Sequence, residues 1–334
     1  MAVLGTALPT LVDVAKRLDP DGKPARIAER LTQSNEILDD MIWKEGNLPT
    51  GEQTTVRAGL PAVAFRSFNE GVPRSKSQVG QITDSAAELA GSHQIDVSEA
   101  KLSGDVNKYR LDEATAFYES MNQTMASYLF YGNEATNPKA FNGLAPRFNS
   151  LTGPYGEQVI DAGGTGVDNH SIWLIVWGEQ TVRGIYPKGS EGGLQHRDMS
   201  GPEGHMVSDA NGNRYPAYED WFQWNCGLSV KDPRYIVRAA NIDASLLIND
   251  VSTGADIQDI MAQMTETVHS ATMPGTRAAF YVPRKIRAML RRQLLKAKNG
   301  FLSLDEIGGR MVTTFDGIPV RRTDALNTFE ARVV

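Results

Sequence analysis

Hydrophobic positions change their period several times along this chain, and each change marks an element. Over 112–131, Ala114, Phe117, Met121, Met125 and Tyr128 recur every three or four positions, with Tyr118 and Leu129 widening the apolar side. That spacing puts them on one face of a helix. Asp112 is the expected N-cap, Glu113 lies in the electropositive first turn, and Gly132-Asn133 supply the stop. From Glu113 to Tyr131 the predicted rod is about 28 Å long. A loop carrying Pro138 then leads to Gly143-Leu144-Ala145-Pro146.

Before this helix the pattern is fragmentary. Leu11, Val14, Ala15 and Leu18 form one short stripe, stopped by Asp19-Pro20-Asp21-Gly22; Ile27, Leu31, Ile37, Leu38 and Met41 form a second. Helices this short bury little among themselves and need a partner surface. Trp43 to Gln81 differs. Thr54 to Val56 begins a β-prone run, Gly59-Leu60-Pro61 interrupts it, Ala62 to Phe68 resumes it, and Lys76 to Thr83 reads as another strand. Strands with Gly- and Pro-marked ends and no continuous apolar face predict an extended hairpin standing off the body.

After the helix, Ile172 to Trp177 is apolar on both faces, which predicts a central buried strand. Thr181 to Tyr186 is its expected neighbour across the Gly178-Glu179 turn. Lys188 to Glu203 reads as a long polar loop and Asp209 to Asn213 as a tight turn. An aromatic antiparallel region follows, with Tyr215, Tyr218, Trp221, Phe222 and Trp224. Ile257, Ile260, Met261, Met264 and Val268 predict a helix, and Ala278 to Val282 a strand leading into the helix Pro283 to Lys298. Arg310 to Phe315, Asp316-Gly317 and Ile318 to Arg322 predict a closing hairpin. The fold class is α+β, with two interleaved portions.

Composition narrows the function. Of 334 residues, 41% are hydrophobic and 22% charged, ample for a buried core. A net charge of -6 argues against a dedicated nucleic-acid binder. The single cysteine, Cys226, excludes an intrachain disulfide framework and a Cys-rich zinc site. No apolar run approaches the roughly 20 residues of a membrane span, and no basic leader precedes the first apolar residues, so synthesis in the cytoplasm is expected.

Candidate chemistry is sparse. Gly163 to Gly166 lacks the lysine of a phosphate-binding loop. His196, Asp198, His205 and Asp209 have metal-ligand chemistry without a recognised spacing; a metal-dependent hydrolase built on the first three is the enzymatic alternative. Asp209 to Asn213 brings its glycine too early for a calcium loop. One charge feature stands out. Arg284, Lys285, Arg287, Arg291, Arg292, Lys296 and Lys298 crowd one helix, with no acid between Tyr281 and Leu304. A solvated face is the simpler reading, and a surface for polyanion, as in a general DNA-binding protein, is the sharper one. No cofactor, metal or catalytic residue is expected.

An arm, an extended hairpin, a long helix followed by YGN…FNGLAP, a strand-rich centre, a strand-then-basic-helix and a closing FDGIPV hairpin occur in that order. This order resembles the Hong Kong 97-type major capsid fold of tailed bacteriophages over nearly the whole length. The stretches NEILDDMIWKEGNLPTGEQTTVRAGLP, SIWLIVWG, GIYPKGSEGGLQH and RYIVRAANID are similar to the epsilon 15-type podovirus and related siphovirus capsid proteins in particular.

The resemblance implies a non-enzymatic subunit of an icosahedral virion shell around double-stranded DNA, assembled from hexamers and pentamers of one chain. It implies an N-terminal arm over 1–42. An extended loop over 43–83 would carry Trp43, Thr55, Arg57, Phe65, Arg66 and Lys76 as inter-subunit candidates. A peripheral domain over 84–146 and 308–334 would be built on a spine helix, 112–131, and an axial domain would span 147–307. Fewer than fifty residues precede the hairpin, so a separate scaffolding protein, or self-sufficient assembly, is expected. Lys76 lies at the far end of the loop, so covalent cross-linking is not expected and a cementing protein is the candidate stabiliser. A portal at one vertex and non-specific contact with packaged DNA complete the expected partners.

Overall fold

Nine consecutive residues, Asn169–Trp177, are buried in the computed structural model of this protein. The structure describes residues 32–33, 35–102, 104–209, 211–249, 254–297, 302–307, 310–326 and 329–334. In chain order the first strands are β1 (Trp43–Glu45), β2 (Gly51–Gly59), β3 (Gln78–Asp96), β4 (Val159–Asp161), β5 (Asn169–Trp177), β6 (Val182–Tyr186) and β7 (Gly193–Asp198). They continue as β8 (His205–Ser208), β9 (Arg214–Val230), β10 (Ile236–Asp243), β11 (Arg277–Val282), β12 (Leu302–Ile307), β13 (Arg310–Phe315) and β14 (Ile318–Arg322). The main helices are the spine helix Val106–Tyr131, the helix Ile257–Thr267 and the basic helix Arg284–Ala297. Two compact units result. The smaller gathers Glu88–Ala126 and Gly193–Asn225; the larger gathers Asn35–Ala87, Ser127–Gly192 and Cys226–Val334.

In the larger unit β5 lies between β10 and β11, antiparallel to both. β11 continues through parallel β14 to antiparallel β13 and β12. The alternation of β5 serves two layers at once. Ile172, Leu174 and Val176 join Val237, Phe280, Ile257, Ile260, Met261, Met264, Ile286 and Leu290 in one core. Trp173 points to the other face, where its ring meets Phe130 at 6.1 Å and Phe148 at 6.0 Å. Ile172 to Trp177 are apolar as a strand buried on both faces requires, while Asn169, His170 and Ser171 at its start are buried polar residues. The closing hairpin turns at Asp316-Gly317, both at positive φ (52° and 73°), the backbone that two-residue hairpins need.

The end of the spine helix is tied off by the chain that follows it. Leu144 N–H donates to the Leu129 carbonyl at 2.9 Å, Ala145 N–H to Phe130 at 2.7 Å and Gly143 N–H to Gly132 at 2.9 Å. Carbonyls that a helix terminus leaves orphaned are thereby satisfied by backbone. Gly143 is required for that approach, because a Cβ there would lie 2.5 Å from the Tyr128 carbonyl oxygen.

The smaller unit is built on β9, which pairs antiparallel with β7 and β8. Phe222 is its centre. Phe117 of the spine helix stacks on Phe222 at 5.2 Å, Tyr118 meets it edge-on at 5.3 Å, and Met121 and Ala114 complete the cluster. Ile95, Val97, Ala100, Tyr109 and Tyr218 form a second small cluster.

Several expectations are corrected. The spine helix begins at Val106 rather than at Asp112, and Asp105 is the residue that accepts from Lys108 N–H, at 3.0 Å. Nothing in Val106 to Leu111 opposes a helix, and buried Tyr109 anchors this extra turn and a half. Ala62 to Phe68 forms no strand; between Gly59 and Gln78 the chain is without a ladder. β-propensity needs a pairing partner to be realised, and among the described residues that segment has none. Thr181 to Tyr186 is a strand, but it meets β5 only at Trp177↔Val182. β10 occupies that edge of β5 between Asn169 and Ile175, and β6 pairs instead with β1 and β9. The loop expected over Lys188 to Glu203 contains β7, an edge strand drawn out by distant β9. The expected arm, 1–42, lies outside the described residues as far as position 31. Its last part is integrated, with Ile37 and Met41 buried.

Candidate functional site

The hairpin of β2 and β3 has two ends of opposite chemistry. At its root Glu52 and Asp84 stand opposite one another in register, and both are buried. Each is neutralised by an arginine from the body of the larger unit. Arg183 donates twice to Glu52, through Nε at 3.2 Å and through a terminal nitrogen, and Lys231 Nζ lies 3.6 Å away. Arg147 pairs with Asp84 at 2.8 Å, and Val230 N–H donates to its other oxygen at 3.0 Å. Burial pushes the Glu52 carboxyl up, but the hydrogen bonds and charge of Arg183 with Lys231 outweigh it and hold the carboxyl below its ordinary 4.5. Trp43 belongs to this root. In β1 it runs parallel to β6, and its indole covers Gly184, where a Cβ would lie 2.7 Å from the ring.

Beyond the root everything is bare. Thr55, Arg57, Phe65, Arg66 and Lys76 are exposed. Leu60, Val63, Phe65 and Phe68 are each more than 80% exposed. Between root and loop a groove of about 770 Å³ is lined by Thr54, Val56, Arg57, Tyr155, Lys231 and Arg234, among others. Exposed large apolar side chains concentrated on one loop mark an interaction surface. Glu52 and Asp84 escaped the sequence reading. Glu52 shares the inward register of β2 with Thr54 and Val56, a register that the fold reveals.

The metal-site alternative fails on geometry. His196 Nε2 bonds Asp220 at 2.8 Å, while Asp198 pairs with Arg110 at 2.9 Å and His205 with Glu219 at 3.1 Å. The three predicted ligands face three different partners. Arg110 forks onto Asp220 at 2.7 and 3.1 Å, so a guanidinium takes the central position. Burial pushes the Asp198 carboxyl up, but bonds from Ser200 and Arg110 carry it down to about 2. Among the described residues no three metal-ligand side chains converge. Asp220 was also missed, although a carboxylate between Tyr218 and Phe222 on the buried face of an aromatic strand demands a partner. Burial raises the Cys226 thiol to about 12, which leaves it inert at neutral pH.

The four spine residues Phe117, Met121, Met125 and Tyr128 sit on one helix, as expected. Met121 and Met125 are buried, Phe117 is half-buried against Phe222, and the Tyr128 hydroxyl accepts from Asn137 at 3.2 Å. The basic helix buries Ile286 and Leu290 and leaves Arg284, Lys285, Arg291 and Arg292 exposed, with Arg287 half-buried. Lys296 lies in its last turn.

The most conspicuous feature is an apolar loop held away from its own body. A family model described as major capsid protein GP7 matches residues 19–334. The chain belongs to the major capsid protein GP7 family. This capsid protein is similar to a chain in the solved structure of bacteriophage Epsilon15, with 37% identity, 100% of both chains covered and a TM-score of 0.77. It also matches the capsid of bacteriophage JBD30 at 11% identity, over 90% of this chain and 93% of that one, with a TM-score of 0.50. The second likeness speaks for the fold alone. No curated protein matches the chain. The Hong Kong 97-type α+β fold expected from the order of elements is borne out, as is a structural shell protein rather than an enzyme. Copies of the capsid protein assemble into the shell of a virion. Among the described residues no helix is long and apolar enough to cross a membrane.

Proposed function

We propose that the hairpin loop, 60–77, is the segment through which one copy of this capsid protein grips the next. One observation carries the reading: Leu60, Val63, Phe65 and Phe68 are exposed together on a loop whose root is locked by buried ion pairs. In the extended loop 43–83, Trp43 then positions the root, while Thr55, Arg57, Phe65, Arg66 and Lys76 face a neighbour. The arm 1–42 clasps another copy. The portion 84–146 with 308–334 is peripheral, 147–307 lies toward the capsomer axis, and hexamers and pentamers close the icosahedral shell. Many modest contacts multiplied by closed symmetry suffice for stability.

The partners follow from the same reading. A separate scaffolding protein directs assembly, a cementing protein takes the place of covalent cross-links, a portal occupies one vertex, and packaged double-stranded DNA is touched without sequence preference. The test is assembly of the full chain carrying Phe65→Asp, followed by sedimentation and negative-stain microscopy. Loss of particles with an unchanged unfolding midpoint supports the loop as the grip. Normal shells at normal yield would refute it.

A further inference from the structure

The basic helix carries a charge arrangement that a solvated face does not explain. Arg287 and Arg291, one turn apart, both donate to a single neutral acceptor, the buried Thr313 hydroxyl, at 3.2 and 3.3 Å. Arg322 enters from β14, close enough for its charge, like that of Arg291, to act on Arg287. Two nearby carboxylates among the described residues are already committed. Asp324 pairs with Arg284 at 2.9 Å and Arg322 at 3.6 Å, and Glu36 pairs with Arg321 at 3.2 Å. Among the described residues no carboxylate forms an ion pair with Arg287 or Arg291. The Nε–H groups of Arg287 and Arg322 are buried and find no partner among the described residues.

Buried donors without acceptors are costly, and like charges drawn together add to the cost. Burial first, then the charges of Arg291 and Arg322, hold the Arg287 guanidinium below its ordinary range even though Glu36 pulls the other way. A surface face would spread these cations into water. Here a hydroxyl and a helix turn hold them together.

The geometry points to an oxyanion site formed by Arg287, Arg291, Arg322 and Thr313, whose ligand is a phosphate group. Guanidinium forks match the paired oxygens of phosphate, and a Thr hydroxyl can turn from accepting to donating when one arrives. Two sources supply that chemistry, the free ion and the backbone of nucleic acid. Only the second source rests on the shell reading; the site itself does not.

The test uses the full chain. Unfolding midpoints are measured in rising sodium phosphate against sodium chloride at equal ionic strength, for the parent, Arg287→Gln, Arg291→Gln and Arg292→Gln. Arg292 is an exposed cation of the same helix that donates to neither Thr313 nor a carboxylate. A saturating rise with phosphate in the parent and Arg292→Gln, absent in both other variants, supports the site. Arg291→Gln keeps the test alive if Arg287→Gln fails to fold, because Arg291 is exposed. Equal response to chloride and phosphate, or equal response of all four proteins, overturns the proposal. A labelled short DNA duplex then separates the sources. Binding that phosphate displaces, and that falls about tenfold in Arg291→Gln, identifies the backbone phosphodiester. Phosphate binding without duplex binding leaves the site in place and identifies the free ion, whatever the fate of the shell reading.

Discussion

The root and the tip of one hairpin obey opposite rules. At the root, Glu52, Asp84, Arg183 and Arg147 are charged residues placed where apolar ones usually sit, each satisfied by a partner fixed on another element. At the tip, Val63, Phe65 and Phe68 are apolar residues placed where charged ones usually sit. Residues that hold the fold are thus inside and polar, and residues that would serve assembly are outside and apolar. The contrast separates two measurable quantities, subunit stability and assembly, along a single pair of strands. Ion pairs suit the root because their hydrogen bonds are directional and fix an angle; apolar contacts would tolerate sliding. An apolar tip suits a contact made only when a second surface arrives.

Breaking the root should have the largest effect on stability. Arg183→Met leaves Glu52 buried with Lys231 as its remaining cation, and losing one partner of a buried pair costs about 3 to 5 kcal/mol. Urea unfolding of the purified chain measures this directly. A second change, Glu52→Gln, should recover part of the loss by removing the stranded charge. No recovery would mean that the pair is not the source of the stability. Asp84→Asn should cost less, about 1 to 3 kcal/mol, because an amide can keep one bond from Arg147 or Val230.

How much of this was readable beforehand depended on how local each cause is. β5, the closing Asp316-Gly317 hairpin and the helix Ile257–Thr267 follow from short-range pattern and turn chemistry, and all three were legible. The spine helix was legible in its apolar half and cut short at Asp112, because Asp105 offers the same capping chemistry about two turns earlier. The loop tip was legible as a loop, but its β-prone Ala62 to Phe68 promised a strand that one chain cannot pair. β7 and the root ion pairs were illegible because Gly193–Asp198 and Glu52 take their meaning from β9 and β6, far along the chain. For the candidate site, the sequence named residues at the tip, which the structure leaves exposed, and was silent at the root. A buried carboxylate announces itself only when the strand's inward register is known.

Acid provides a graded version of the same break. The folded Glu52 carboxyl titrates below its ordinary 4.5, so its contribution is complete above that value and is lost as pH falls through the folded value. Stability of the parent should therefore drop below about pH 4.5 more steeply than that of Glu52→Gln, which has no proton to take up there. Unfolding midpoints between pH 7 and pH 3 for the two proteins test this, and parallel profiles would remove Glu52 from the account. The effect is smaller than that of Arg183→Met, because a neutral carboxyl still accepts from Arg183.

At the tip the expected change in subunit stability is smallest of all. Phe65 is fully exposed, so Phe65→Ser removes no buried area and should move the unfolding free energy by no more than about 0.5 kcal/mol. If a neighbouring copy covers the ring, the same substitution forfeits about 1.5 to 3 kcal/mol at every such contact in the shell. Arg66→Ser, exposed at the next position, should weaken assembly far less, since a charge at a wet rim contributes little. The comparison is made on one preparation of each variant: urea midpoint for the subunit, and the concentration at which half the chain sediments as particles. A large shift in the second with none in the first is what separates a tip that binds from a root that folds. Equal shifts in both would mean that Phe65 packs on its own chain, and the contrast between the two ends would collapse.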